Sequence, residues 1–203
     1  MLKYHRRFSE NTSLKKPKKR VKSFFGLRER GFLFMKKTTK RLARAGVTAA
    51  LYVVLSLITL PVASGAIQFR VSEGLTLLPL LFPEAPYALF VGCALSNLIT
   101  GCALFDVVFG SVITLLAGVL TYFTGKIIKK TLPSIVVGGL FPVVLNALLL
   151  PAVWYYCYGQ LEYVYYLQAC FLLISQGLSV YLFGSVICVS VKKFRDDGAD
   201  FLS

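Results

Sequence analysis

The stretch Ser72-Glu-Gly-Leu-Thr-Leu-Leu-Pro-Leu-Leu-Phe82 decides how this 203-residue chain is threaded. It is apolar but short, and Pro79 takes a backbone donor out of its last turn. Five other apolar segments are plain, at about 43–63, 87–104, 105–125, 134–157 and 163–191. Each is near the ~20 residues that an α-helix needs to cross a hydrocarbon core of ~30 Å. The last is longer than a crossing requires, so it should tilt or project. The number of crossings is five or six, according to what Ser72–Phe82 does.

Charge decides between them. Three basic clusters flank the apolar body: the tail up to Arg44, then Lys126, Lys129 and Lys130, then Lys192, Lys193 and Arg195. Lys and Arg collect on the cytoplasmic side of membrane proteins. An even number of crossings must therefore separate the first cluster from the second. Three are evident there, so a fourth is needed, and Ser72–Phe82 is the candidate. Its length and Pro79 predict a half-length or bent helix beside a cavity, because irregular backbone facing lipid is too costly. The fold expected is an all-α membrane protein, a bundle of six transmembrane helices over residues 43–192. A basic cytoplasmic tail, 1–42, precedes it and a cytoplasmic tail, 193–203, follows. The location expected is the inner or plasma membrane, with both termini in the cytoplasm.

Composition agrees and excludes other classes. The chain is 56% hydrophobic with a mean hydropathy of +0.68, against ~45–50% apolar residues in soluble domains. The first 44 residues hold 16 of the 23 Lys and Arg and two of the nine acids, so they carry the whole net charge of +14. Such a tail reads as an anchor before a first span rather than as a nucleic-acid arm. No cleaved signal peptide is expected, since no short apolar run precedes residue 43. The five cysteines lie apart in apolar stretches, and the one histidine, His5, is in the tail. No metal site, cofactor site or disulfide framework is implied. No Ser/His or paired-Asp constellation occurs in the body, so catalysis is not expected.

The few hydrophilic groups of the body are the candidate binding residues. On this threading Arg70, Glu73, Asp106 and Glu162 lie at the outer ends of helices or in the outer linker, and Glu84 lies in an inner turn. A charge at mid-bilayer costs ~2.5–3.5 kcal/mol on insertion scales, so such residues line cavities or interfaces. The alternative is ordinary solvated loop charge. Gln68 shares the linker with Arg70 and Glu73. Asn97, Asn146, Gln168 and Gln176 fall within spans, where amides can read the edge of a planar heterocycle or tie helices together at ~0.6 kcal/mol each. Trp154 belongs to an aromatic cluster that serves as an interfacial belt or stacks on a ligand ring. Ala45 and Ala49, one turn apart on the first span, would admit a close helix neighbour.

The blocks Gly65-Ala-Ile-Gln-Phe-Arg-Val-Ser-Glu-Gly-Leu-Thr-Leu-Leu-Pro79, Gly92-Cys-Ala-Leu-Ser-Asn97, Phe105-Asp-Val-Val-Phe-Gly-Ser111 and Leu145-Asn-Ala147 together resemble the QueT family. That family comprises substrate-capture (S) components of energy-coupling-factor (ECF) vitamin transporters. The resemblance covers about residues 40–192. It implies a six-helix S component that binds a queuosine precursor, a 7-deazaguanine base. It implies as partners a transmembrane coupling subunit and two ATPase subunits. Ala45 and Ala49 would face the coupling subunit, and Gln68, Arg70 and Glu73 would cap the outward pocket. Consistently, the chain has no phosphate loop: Gly118 and Gly125-Lys126-Ile127 have the wrong spacing and no following Ser or Thr. In one departure, Ser175-Gln176 stands where the family often carries Gly-Glu. A neutral amide there admits a nitrile precursor or the mature base as well as an amine. The competing expectations are an S component for another vitamin or nucleobase, and a self-sufficient secondary carrier. The carrier would take up solute in vesicles without any ATPase.

Overall fold

The structure, a computed structural model, describes residues 20–63, 69–159 and 164–197, with backbone alone for 20–36, 62 and 63. It divides into two compact units, Met1–Thr39 and Lys40–Ser203. In the first, the described residues form the opening of helix α1; the second is the bundle.

No strand occurs among the described residues. Helix α1 is Arg20–Ile58, followed by a single helical turn, Leu60–Ala63. A 3₁₀ helix, Val71–Leu80, comes next, then α2, Ala85–Ile99. Helix α3, Asp106–Ile127, opens with a π turn at Asp106–Gly110. Helix α4 is Thr131–Tyr158. Helix α5, Tyr165–Asp196, carries a π turn at Leu178–Gly184. Four stretches are long and apolar enough to cross a membrane: Lys37–Ile58, α3, α4 and α5. The 3₁₀ helix and α2 are shorter apolar helices. Large apolar side chains point outward, among them Leu98, Leu132 and Val186, each more than 60% exposed. Ser72, Thr76, Asn97, Thr121, Asn146 and Gln176 are buried instead. In water that arrangement would expose a large apolar patch; against lipid tails, which are as apolar as leucine, it is at rest. The chain is an all-α membrane bundle.

The segment that decides the threading is a half-length helix, as its length and Pro79 predict. A 3₁₀ helix rises ~2.0 Å per residue against 1.5 Å in an α-helix, so ten residues reach ~20 Å rather than ~15 Å. Three side-chain pairs run it antiparallel to α1. Ser56 Oγ bonds Ser72 Oγ at 2.8 Å, Tyr52 OH bonds Glu73 Oε1 at 2.6 Å, and Arg44 Nε bonds Glu84 Oε1 at 2.7 Å. The chain from Ser72 to Glu84 thus retraces α1 from Ser56 to Arg44, a depth of about 18 Å.

Such a helix survives at membrane depth only inside protein, and Ser72 through Pro79 are all buried. It packs against α2, α3, α4 and the π turn of α5. Glycines let backbones meet there. A Cβ on Gly184 would stand 2.6 Å from the Gly74 carbonyl oxygen, and one on Gly125 would stand 2.7 Å from that of Leu80.

Two boundaries differ from the sequence expectation. Helix α1 begins at Arg20 rather than near 43. Helix α2 stops at Ile99 rather than 104, because Gly101 takes a left-handed φ of 73° and turns the chain. Hydropathy does not register that turn, since Cys102, Ala103 and Leu104 continue the apolar run.

Candidate functional site

The sparse polar residues of the bundle gather at the end opposite its lysines. Glu73 is the centre. It lies in the first turn of the 3₁₀ helix and is 3% exposed. Its Oε1 accepts from Tyr52 OH on α1 at 2.6 Å, and its Oε2 accepts from Asn146 Nδ2 on α4 at 3.3 Å. Thr76 Oγ1 donates to its backbone carbonyl. Among the described residues it makes no ion pair. Solvated loop charge is thereby excluded for this residue: Glu73 is a buried carboxylate held by two neutral donors. A carboxylate has about four acceptor positions, so further N–H or O–H groups can still be received.

A second chain of bonds runs beside it. Arg70, immediately before the 3₁₀ helix, donates from Nη1 to Asn97 Oδ1 at 3.1 Å. Asn97, buried near the end of α2, donates from Nδ2 to the Asp106 carbonyl oxygen at 3.2 Å. That carbonyl belongs to the π turn opening α3, where the wider turn alters the backbone ladder. The Asp106 carboxylate in turn accepts from Trp154 Nε1 at 2.8 Å. Arg70, Asn97, Asp106 and Trp154 therefore form one connected line from the 3₁₀ helix to α4.

Helix α5 contributes buried polar groups of its own, Gln176 first. Gln176 is 3% exposed, and its Oε1 has no hydrogen-bond partner. One turn on, Ser179 is fully buried and its Oγ has none either. The Ser179 carbonyl is 3.2 Å from where a Cβ on Gly74 would stand, so this stretch of α5 packs beside the residue after Glu73. Buried polar atoms are nearly always paired, so the open amide oxygen of Gln176 marks a place on α5 where a donor is wanted. Phe69 covers the same joint, edge-on to Phe183 at 6.0 Å.

Of the residues expected at the site, Glu73 and Asn146 share one set of bonds, Arg70, Asn97, Asp106 and Trp154 share a second, and Gln176 is buried on α5. Gln68 and Glu162 fall outside the described residues. Ala45 and Ala49 are half-buried on α1, and the Ala49 carbonyl approaches Gly92 of α2. Tyr52 was not anticipated from sequence. A signal for it exists: Arg44, Thr48, Tyr52 and Ser56 recur every four residues on an otherwise apolar span, which puts them on one face, and a buried tyrosine hydroxyl seeks a partner.

The chain matches the model of the QueT transporter family over residues 42–193. No curated protein and no solved structure gives a match. The matched residues take in the 3₁₀ helix, α2 to α4, most of α5 and every described member of the polar network, and they omit most of the basic tail. This chain, a multi-pass membrane protein, belongs to the QueT transporter family, a family of transporters and not of enzymes.

Proposed function

We propose that the chain is the substrate-capturing S component of an ATP-driven ECF importer, and that it takes a 7-deazaguanine base, a queuosine precursor, from outside the cell. The observation that carries this reading is Glu73, buried and held only by neutral donors. The 2-aminopyrimidinone edge of such a base sets a ring N–H beside an amino group. Two parallel donors suit a carboxylate as a guanidinium does, with charge-assisted hydrogen bonds. Asn97, Asn146 and Gln176 read the remaining edge, the open Gln176 acceptor taking a further N–H. Trp154, oriented by Asp106, covers the ring face.

The lysine-bearing end faces the cytoplasm in this reading, by the positive-inside rule, and both termini lie there. The network then opens outward. The chain does no covalent chemistry; two ATPase subunits and a coupling subunit would reorient it and release the base inside. Ala45 and Ala49 flank Gly46 on α1, where an added Cβ would meet nothing within 4 Å. The surface at Gly46, beside Ala45, is open to close helix approach by the coupling subunit, whereas the Ala49 carbonyl already meets α2.

Calorimetry and thermal shift on the purified chain test the reading, with amine, nitrile and mature deazaguanine bases run against riboflavin and biotin. Binding of a deazaguanine, weakened roughly 10- to 150-fold in Glu73→Gln, is the expected result. Silence with every deazaguanine, or an equal response to riboflavin, sinks it.

A further inference from the structure

At the lysine-bearing end of the bundle lies a cleft of about 250 Å³ that the transport site does not use. Lys129, Thr131, Ser134, Lys192 and Arg195 border it, and no carboxylate does. Lys192 Nζ donates to Thr131 Oγ1, which fixes its ammonium at the first residue of α4. The residue before that helix, Lys130, offers no side-chain cap. The first N–H groups of a helix have no partner within it. Pro133 has no N–H, so within this first turn Thr131 and Leu132 carry the backbone donors that lie ahead of the first helical bond, Ser134 N to the Lys130 carbonyl. Helix α4 is 28 residues long, and its positive end sits among three cations. Arg195 has one acidic neighbour, the exposed Asp196, at 3.6 Å.

Three like charges and a helix N-terminus at the rim of one cleft repel each other unless an anion joins them. The volume is below the ~300–1,000 Å³ of ordinary small-molecule pockets. It suits a phosphate with a short polar ester rather than a vitamin. The cleft also lies where three helices end, at the level where headgroups meet a membrane protein.

We propose that this cleft binds a phosphate mono- or diester anion, carried by an anionic lipid headgroup or free in solution. Basic pockets of this kind between membrane helices hold phospholipid headgroups. The occupant would pin α3, α4 and α5 together at one end without touching Glu73.

The test uses the full chain in zwitterionic detergent. Retained phosphatidylglycerol is counted by native mass spectrometry. Melting is followed with added phosphatidylglycerol, phosphatidylcholine, inorganic phosphate or glycerol 1-phosphate at constant ionic strength. Removing one surface cation should weaken binding roughly five-fold. Lys129→Gln/Arg195→Gln should therefore weaken it about 25-fold, while Lys37→Gln/Arg41→Gln, equal in charge, leaves it unchanged. Exposed Lys129→Gln alone serves if the double variant does not fold. Stabilisation by phosphatidylglycerol alone assigns the lipid; stabilisation by glycerol 1-phosphate or inorganic phosphate as well assigns the free anion. Equal losses in both double variants mean diffuse attraction and overturn the proposal, as does a cleft variant that binds like the parent.

Discussion

Two glutamates bracket the 3₁₀ helix, and both are held by α1, but in opposite ways. Glu84 meets a full charge: Arg44 Nε lies 2.7 Å from its Oε1, and the same guanidinium sits 4.9 Å over the Phe82 ring. Glu73 accepts bonds from a phenol and an amide, and the Arg70 guanidinium acts on it through its field without pairing with it. A buried carboxylate paired with arginine has its charge answered within the chain, so its role is to hold elements together. Glu73 has a bond on each oxygen but no ion pair among the described residues, so its charge can still attract a donor-bearing ligand; Glu84, though its Oε2 is itself a buried acceptor without a bond, has its charge taken by Arg44. The helix between them is thus tied at the lysine-bearing end and left receptive at the other.

The largest effect should come from breaking the tie. Glu84→Ala takes the carboxylate from beside the Arg44 guanidinium, 9% exposed, and removing one member of a buried pair costs ~3–5 kcal/mol. Denaturant unfolding in detergent should show a loss near the lower figure, about 3 kcal/mol, because the pair lies at the end of the spans. Ligand affinity of the folded fraction should stay within about two-fold.

At the receptive end the pattern inverts. Glu73→Gln keeps the shape and removes the charge, so the melting temperature should change little, since a buried charge is disfavoured at that depth while its attraction to Arg70 is lost. Ligand affinity should fall by about 1.5–3 kcal/mol, the value of hydrogen bonds to a charged group, or roughly 10- to 150-fold. Loss of stability as great as in Glu84→Ala would erase the distinction between the two glutamates.

How much of this was legible in the sequence follows from the same pair. Charge parity required a crossing at Ser72–Phe82, and the structure has a helix there running antiparallel to α1. The expectation rests on the cost of moving lysines across a membrane, which does not depend on packing. The gathering of Arg70, Glu73, Asn97, Asp106, Asn146 and Trp154 was legible for a related reason: polar groups are rare in an apolar body and must find one another. What the sequence hid was partnership. Nothing local says that Asp106 answers Trp154, 48 residues on, or that Arg44 rather than Arg70 makes the ion pair with a glutamate. Those choices depend on which faces α1 and the 3₁₀ helix present, and on glycines whose close contacts exist only once the bundle is assembled. Tyr52 was hidden for a different reason, since a tyrosine in an apolar span reads as bulk until its hydroxyl has a partner.

Tyr52→Phe should have a smaller effect and sharpens the account of Glu73. It deletes one donor, worth about 1 kcal/mol, and leaves Asn146 as the remaining neutral donor to the carboxylate. If the hydroxyl serves to aim Glu73, affinity measured by calorimetry should fall about five-fold with little change in unfolding. A large stability loss without loss of affinity would make Tyr52 part of the scaffold instead.

The smallest expected effect is the most diagnostic. Arg44→Met/Glu84→Ala removes both charges of the tie, so neither is left stranded, and exchanging a buried pair for apolar groups is often close to neutral. The main remaining loss is the contact of the guanidinium with Phe82, worth ~2 kcal/mol where both are under 10% exposed and offset by a methionine–ring contact of ~0.3–1.5 kcal/mol. The double variant should therefore unfold within about 1 kcal/mol of the parent, recovering most of what Glu84→Ala alone loses. Unfolding of the parent, the two single variants and the double variant closes the cycle. A double variant as damaged as Glu84→Ala would mean that the space Glu84 fills, and not its charge, supports the turn. The contrast with Glu73 would then rest on packing, and the receptive carboxylate would lose its reference.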